Sequence, residues 1–120
     1  MNFKEITPKE RVNCQRVVLA FEELYDLYGD MLVADAGRFG FVHLKWFDGE
    51  SFSSCNVYTD SFELFGDLWE AWREYQLLEP VKGTQLADLS YEELYELLKT
   101  EEKIALENKR VEFWKLSFGE

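Results

Sequence analysis

Basic side chains are scarce in this chain of 120 residues. The 13 Lys and Arg stand against 24 Asp and Glu, which gives a formal net charge of −11 at pH 7. Phosphate contacts need Lys and Arg, so this balance argues against a surface that binds nucleic acid. An anionic membrane is disfavoured as a partner for the same reason. We therefore expect no direct binding to nucleic acid or to a membrane.

Long apolar runs are also missing. The longest covers residues 17–21, whereas a membrane-spanning helix needs about 20 apolar residues. The N-terminal residues lack the apolar segment of a signal peptide, so we expect a cytoplasmic protein. Only two cysteines occur, Cys14 and Cys55, and small secreted domains usually carry more. We interpret both as buried, reduced thiols; a disulfide between them is the alternative.

Catalytic and metal-binding motifs are absent as well. A Ser-His-acid or Cys-His site would have to use His43, the single histidine. Two distant cysteines do not match the paired spacing of a structural zinc site. The pattern Gly37-x-x-Gly40 is too short for a phosphate-binding loop, and we interpret it as relieving crowding at a turn. We expect no catalytic residue, cofactor or metal ion; a small enzyme that uses His43 and nearby carboxylates is the alternative.

The composition nevertheless predicts a folded domain. Hydrophobic residues make up 47% of the chain and aromatic residues 17%, which is unlike a disordered protein. The length fits one domain of common size. We therefore expect a single domain that spans residues 1–120.

A capped helix is predicted near the N-terminus. Thr7 is the expected N-cap, Pro8 suits the first helical position, and Glu10 would complete a capping box. Gly29 is the expected end of this helix. An apolar stripe at helical spacing would face the core: Cys14, Val17, Val18, Phe21, Leu24, Tyr25 and Tyr28.

Three strands are predicted in the middle of the chain, at residues 31–36, 39–47 and 52–58. The dipeptide Asp48-Gly49 favours a two-residue hairpin turn. That turn would place Val42 opposite Cys55 and His43 opposite Ser54. Of the two sheet faces, we expect the more apolar one in the core, with Val42, Leu44, Trp46, Cys55 and Val57. The opposite, mixed face carries Phe39, Phe41, His43, Lys45, Phe52, Asn56 and Tyr58.

Further helices are predicted after the strands. Asp60 and Glu63 mark the start of the second helix, and Pro80 bars its continuation. Ser90 and Glu93 mark the start of the third, over residues 91–109. Residues 110–118 fit either a helix or a strand. The predicted fold class is α+β in the order α-β-β-β-α-α, with a three-stranded antiparallel sheet that the helices cover on one face.

The second predicted helix carries acids on one side, at steps of four, three and four residues: Glu63, Asp67, Glu70 and Glu74. Neighbouring acids would lie about 4.5–6 Å apart along the helix. Like charges at this spacing cost a helix about 0.2–0.5 kcal/mol per pair. The hairpin tip adds Asp48 and Glu50. One interpretation is a solvated helix face; the other is a surface that offers carboxylates where a basic partner expects phosphates.

The predicted element order, the acidity and the turn Asp48-Gly49-Glu50 together resemble small phage inhibitors of type II CRISPR nucleases. The resemblance implies a DNA mimic that occupies the basic, PAM-reading groove of the nuclease, with the hairpin probing a neighbouring site. Anti-restriction proteins and toxin-neutralising immunity proteins are also small, acidic and cytosolic. They share the use of an acidic face to block a basic enzyme.

Our first hypothesis is a non-catalytic inhibitor that occludes a basic, nucleic-acid-handling protein such as a nuclease. Its partner-binding residues would be Asp48, Glu50, Glu63, Asp67, Glu70 and Glu74. The alternative is a toxin-immunity protein or a self-associating structural module. A seven-residue apolar spacing favours self-association as a homodimer: Leu97, Ile104, Val111 and Phe118.

Overall fold

The computed structural model of the protein describes residues 4–27, 31–46 and 52–119. Its helices and strands are α1 (Pro8–Ala20), α2 (Glu22–Leu27), β1 (Met31–Asp35), β2 (Phe41–Trp46), β3 (Phe52–Tyr58), α3 (Ser61–Leu78), α4 (Tyr91–Glu96) and α5 (Thr100–Phe118). The strands form an antiparallel sheet in the order β1-β2-β3. The α+β class and the three-stranded antiparallel sheet are therefore confirmed, whereas the predicted order α-β-β-β-α-α has too few helices.

Two of the predicted helices are each divided in two. The first is interrupted at Phe21, and both Phe21 and Leu24 of α2 are fully buried. The third is divided into α4 and α5, although no glycine or proline marks the interruption. α5 begins where the backbone N–H of Lys99 donates to the Glu102 carboxylate at 2.9 Å. Residues 110–118 belong to α5, so the helical alternative for this segment is confirmed.

The start of α1 agrees with the prediction in its cap but not in its capping box. The Thr7 hydroxyl accepts the backbone N–H of Glu10 at 3.1 Å, as an N-cap should. The Glu10 carboxylate does not return to Thr7. It accepts the backbone N–H of Ser61 at 3.1 Å and the Ser61 hydroxyl at 2.9 Å. Glu10 therefore joins α1 to the first residue of α3, and Gly29, the predicted end of the helix, lies outside the described residues.

Over residues 41–45 the pairing of β2 with β3 differs from the predicted register by two residues, and an irregularity between Lys45 and Trp46 changes the register after that. Val42 lies opposite Val57 rather than Cys55, and His43 lies opposite Asn56. Side chains alternate between faces with a period of two, so a shift of two residues leaves every side chain on the same face. The apolar pattern therefore could not distinguish the two registers. The turn residues 48–49 lie outside the part of the chain that the structure describes.

The sheet face that packs on the helices is the mixed one, so the predicted core face is wrong. His43 is buried and Tyr58 is half-buried, and both contact Asp67 of α3. The outer face carries Val42, Leu44, Cys55 and Val57, and the last two of these are exposed. The side chain of Trp46 lies outside the described residues. The same face also buries the apolar side chains of Met31 and Phe41, so both apolar packing and the bonds of Asp67 join the sheet to the helices.

The core lies between α1, α3, α5 and the inner face of the sheet. Phe113 of α5 stacks on Phe21 with ring centroids 4.3 Å apart and meets Trp72 edge-on at 5.0 Å. Both geometries are favourable for aromatic pairs. Leu64 and Leu68 of α3 are fully buried beside them. Trp72 of α3 is therefore part of the core.

The two cysteines are free and differ in burial. Cys14 is buried in the core, as predicted, and burial raises the pKa of its thiol to about 11. Cys55 is exposed on the outer face of the sheet, so its predicted burial is wrong. None of the helices in the described part of the chain is both long and apolar enough to cross a membrane.

Candidate partner-binding surface

The acids of α3 lie along one side of the helix but differ in their surroundings. Asp60 sets the start of α3, because its carboxylate accepts the backbone N–H groups of Phe62 at 2.8 Å and Glu63 at 3.1 Å. Glu63 and Glu70 are exposed to solvent, whereas Asp67 and Glu74 are partly buried. The four predicted site residues of this helix therefore form two classes, and only Glu63 and Glu70 are exposed.

Asp67 is turned towards the sheet. Its Oδ2 lies 2.8 Å from Nδ1 of His43 and accepts the hydroxyl of Tyr58 at 2.6 Å. Burial acts to raise the pKa of the Asp67 carboxyl, but the hydrogen bonds from His43 and Tyr58 outweigh it and hold the pKa below its ordinary value. Asp67 is therefore an anion whose hydrogen bonds link α3 to β2 and β3.

His43 is enclosed at the same junction. It is 1% exposed, and its Nε2 lies 3.4 Å from the sulfur of Met31. Ser54, which the predicted register had placed opposite His43, lies opposite Lys45 instead. A catalytic histidine needs contact with a nucleophile or substrate, and both ring nitrogens here face groups within the fold. The geometry of His43 therefore fits a structural link between sheet and helix.

Glu74 differs from Asp67 in the direction of its pKa shift. Burial raises the pKa of the Glu74 carboxyl, and the nearby charge of Lys45 offsets part of that increase. Glu74 is thus a less favourable anion in the folded protein than a solvated glutamate. It contributes less to an exposed acidic face than its place in the sequence suggests.

α4 adds exposed acids next to those of α3. The guanidinium of Arg73 lies 3.9 Å from Glu70 and 3.8 Å from Glu92 of α4, so the two carboxylates face a common side chain. Arg73 itself is only 15% exposed, whereas Glu92 is 85% exposed. One turn further along α4, Glu96 is exposed and lies 3.7 Å from Lys103. We call Glu63, Glu70, Glu92 and Glu96 the acidic surface.

The α4 residues were not among the predicted site residues. The sequence carried one signal for their position, the capping box of Ser90 and Glu93, which is present in the structure and marks the start of α4. It carried no signal that α4 packs beside α3, since that contact joins distant parts of the chain. The two remaining predicted site residues, Asp48 and Glu50, lie outside the described residues.

The described residues contain no group of three His, Cys, Asp or Glu side chains that could hold a metal ion. A groove of about 380 Å³ lies between α3 and α5. Its walls are mostly apolar, with Trp72, Leu77 and Leu98 among them, and they include no histidine, cysteine or serine. This groove therefore offers apolar contact area rather than a set of groups for acid-base or nucleophilic chemistry.

No model of a known protein family matches the chain. Neither a curated protein sequence nor a solved structure matches it. The function is therefore inferred from the residues of the chain itself.

Proposed function

We propose that this protein is a non-catalytic, cytoplasmic inhibitor that occludes a basic, nucleic-acid-handling protein. The inhibitor would act as a DNA mimic, in the manner of an anti-CRISPR or anti-restriction protein carried by a phage or mobile element. The observation that carries the proposal is the acidic surface on α3 and α4. Its members are exposed, and the adjoining Arg73 is largely covered.

The spacing of the acids supports mimicry. Glu63 and Glu70 are two helical turns apart on one side of α3, which corresponds to about 10.5 Å along the axis. Three phosphate steps along one DNA strand cover about 10 Å. A basic groove that binds phosphates at this interval would find the carboxylates of Glu63 and Glu70 at a similar spacing. Electrostatic attraction of this kind also speeds association and weakens as salt is added.

The net charge supports the same conclusion at longer range. With −11 on 120 residues, the protein attracts a basic partner well before contact. Asp67 contributes to this field but not through an exposed contact, because its carboxylate bonds to His43 and Tyr58. A substitution of Asp67 would therefore confuse loss of binding with loss of stability. The test must use the exposed acids instead.

The test compares two triple charge reversals in the full chain. One variant, E63K/E70K/E92K, alters the acidic surface; its control, E22K/E23K/D88K, reverses three exposed acids on α2 and the α3–α4 connection and has the same net charge. Each protein is immobilised and exposed to nuclease-treated host lysate at low and high salt. We expect the native protein and the control to capture a basic nucleic-acid enzyme that high salt and duplex DNA release, and the first variant to capture at least tenfold less.

Equal capture by both triple variants would contradict the proposal, because total charge rather than the acidic surface would then explain binding. Capture that resists both salt and duplex DNA would also contradict it, since a DNA mimic competes with DNA. Circular dichroism of each variant, recorded beforehand, distinguishes lost binding from lost folding.

A further inference from the structure

The solvent-facing side of α5 carries a regular stripe that the acidic surface does not include. Its members recur at steps of three and four residues: Glu101, Ile104, Asn108, Val111 and Lys115. This spacing keeps all five on one side of a helix and is the spacing of a helix–helix seam. Ile104 is 55% exposed and Val111 is 37% exposed. We call these five residues the α5 seam.

The α5 seam is unoccupied within the monomer. Across the described part of the chain, no hydrogen bond or ion pair engages the side chains of Glu101, Asn108 or Lys115. Two shallow grooves of about 400 and 290 Å³ lie on either side of Val111. Val111 thus forms a ridge between two hollows, the shape that accepts side chains of a second helix.

Two copies of the α5 seam complement each other when their helices run in opposite directions. When the second copy is reversed about Asn108, Glu101 falls opposite Lys115, Asn108 falls opposite itself, and Ile104 falls within one residue of Val111. An asparagine amide both donates and accepts hydrogen bonds, so two copies can pair across a two-fold axis. A polar asparagine at such a position also selects one register.

The charges of the whole helix favour the same antiparallel arrangement. Before Asn108, α5 carries Glu101, Glu102, Glu107 and one base, Lys103; after it, α5 carries Lys109, Arg110, Lys115 and one acid, Glu112. Antiparallel packing brings the acidic half of each helix against the basic half of the other. It also opposes the two helix dipoles, which is favourable. Parallel packing would place like charges together.

We propose that two copies of this protein associate through the α5 seam as an antiparallel, two-fold symmetric dimer. Glu101 of each copy then pairs with the other copy's Lys115, Ile104 packs on Val111, and Asn108 lies at the axis. Such an interface repeats every contact twice, as two-fold symmetry requires. The seam is small, so the dimer is weak, with a Kd on the order of 10–100 µM.

The test uses sedimentation equilibrium of the full chain, the single variants E101K and K115E, and an equimolar mixture of the two. The native mass is expected to rise from 14.2 kDa towards twice that value as concentration increases. Each single variant places two like-charge pairs in its own dimer, so we expect about tenfold weaker association. In the mixture, a dimer with one copy of each variant again places opposite charges at both contacts, so association returns to about the native strength.

A control with two exposed aliphatic residues of α1 replaced, V12D/L19D, is expected to dimerise like the native protein, whereas I104D/V111D is expected to be monomeric. Three results would overturn the proposal: a native protein that stays monomeric at several hundred micromolar, a mixture that does not recover, or a control that weakens as much as I104D/V111D. Recovery in the mixture cannot come from refolding, because neither variant changes between the separate and mixed samples. None of these outcomes depends on the proposed inhibitory function.

Discussion

At the scale of single residues, Asp67 and Glu74 show how tertiary contacts separate two carboxylates on the same side of one helix. Asp67 accepts hydrogen bonds from His43 and Tyr58, so its pKa is lowered despite burial. Burial raises the pKa of Glu74, because the nearby charge of Lys45 offsets only part of the increase. The charged form of Asp67 therefore stabilises the fold, whereas the fold is more stable when Glu74 is protonated.

Replacing Asp67 by alanine is expected to lower the free energy of unfolding by about 2–3 kcal/mol. The substitution leaves the buried His43 Nδ1 and the Tyr58 hydroxyl without their acceptor. The exposed Glu63 on the same helix is the matched control, and E63A should change stability by less than about 0.5 kcal/mol. Urea denaturation at pH 7 measures both. A similar effect of the two substitutions would contradict the assigned role of Asp67.

The pH dependence of stability follows from the direction in which the pKa of Asp67 and the pKa of Glu74 are shifted. The folded pKa of Asp67 lies below its ordinary 3.8, so its stabilisation is complete above that value and is lost as the pH falls through the folded pKa. The folded pKa of Glu74 lies above its ordinary 4.5, so its charge is destabilising at neutral pH and the penalty disappears in acid. E74Q should therefore raise stability at pH 7 and change nothing below about pH 4, as urea denaturation across pH would show.

At the scale of elements, the boundaries depend on single contacts that link distant parts of the chain. The Glu10 carboxylate holds the first residue of α3, and the bend at Phe21 serves the core. Gly40 directly precedes β2 and lies beside the end of β3, and its φ is +100°. A Cβ built there would lie 2.1 Å from the carbonyl oxygen of Tyr58. The interpretation that glycine relieves crowding at this turn is therefore confirmed for Gly40.

Replacing Gly40 by alanine is expected to destabilise the protein by about 3 kcal/mol or more. The new methyl group meets the Tyr58 backbone, which cannot withdraw without breaking the sheet, and alanine also disfavours positive φ. Gly66 is the matched control, because it lies in α3 with no atom within 4 Å of a built Cβ. G66A should stabilise the helix by about 0.5–1 kcal/mol. Thermal denaturation that ranks the two variants the other way would refute this explanation.

At the scale of the whole molecule, α5 completes the core although it comes last in the chain. Phe113 contacts Phe21, Trp69 and Trp72, which belong to the α1–α2 bend and α3. The same helix carries the α5 seam on its other side. One element therefore supplies a buried aromatic to the core and carries an exposed stripe on its other side.

Replacing Phe113 by alanine is expected to cost about 3–5 kcal/mol, because it removes a ring that is 2% exposed and leaves a cavity among three aromatic neighbours. The exposed Leu97 provides the matched control, and L97A should change stability by less than about 0.5 kcal/mol. Chemical denaturation measures both effects. If F113A retained native stability, α5 would not be part of the cooperative core.

Features of the fold that depend on interactions between residues close in the sequence were predicted, and features that depend on distant residues were not. Local signals located the N-caps Thr7, Asp60 and Ser90 and the strand β3, because capping and strand propensity act within a few residues. Long-range contacts decided the rest. The register of β2 and β3 is invisible to a pattern of period two. Which sheet face is buried depends on contacts with the helices, where Met31 and Phe41 enter the core and Asp67 bonds to His43 and Tyr58.

The sequence by itself determined the α+β class, the acidity and the helical spacing of the acids on α3, because these depend on composition and local periodicity. Only the tertiary structure decided which acids are exposed. It turned Asp67 into a link to the sheet, covered part of Glu74, and placed Glu92 beside Glu70. The physical reason is that burial and hydrogen bonding depend on neighbours in space, and residues 67 and 43, like residues 73 and 92, become neighbours only when the chain folds.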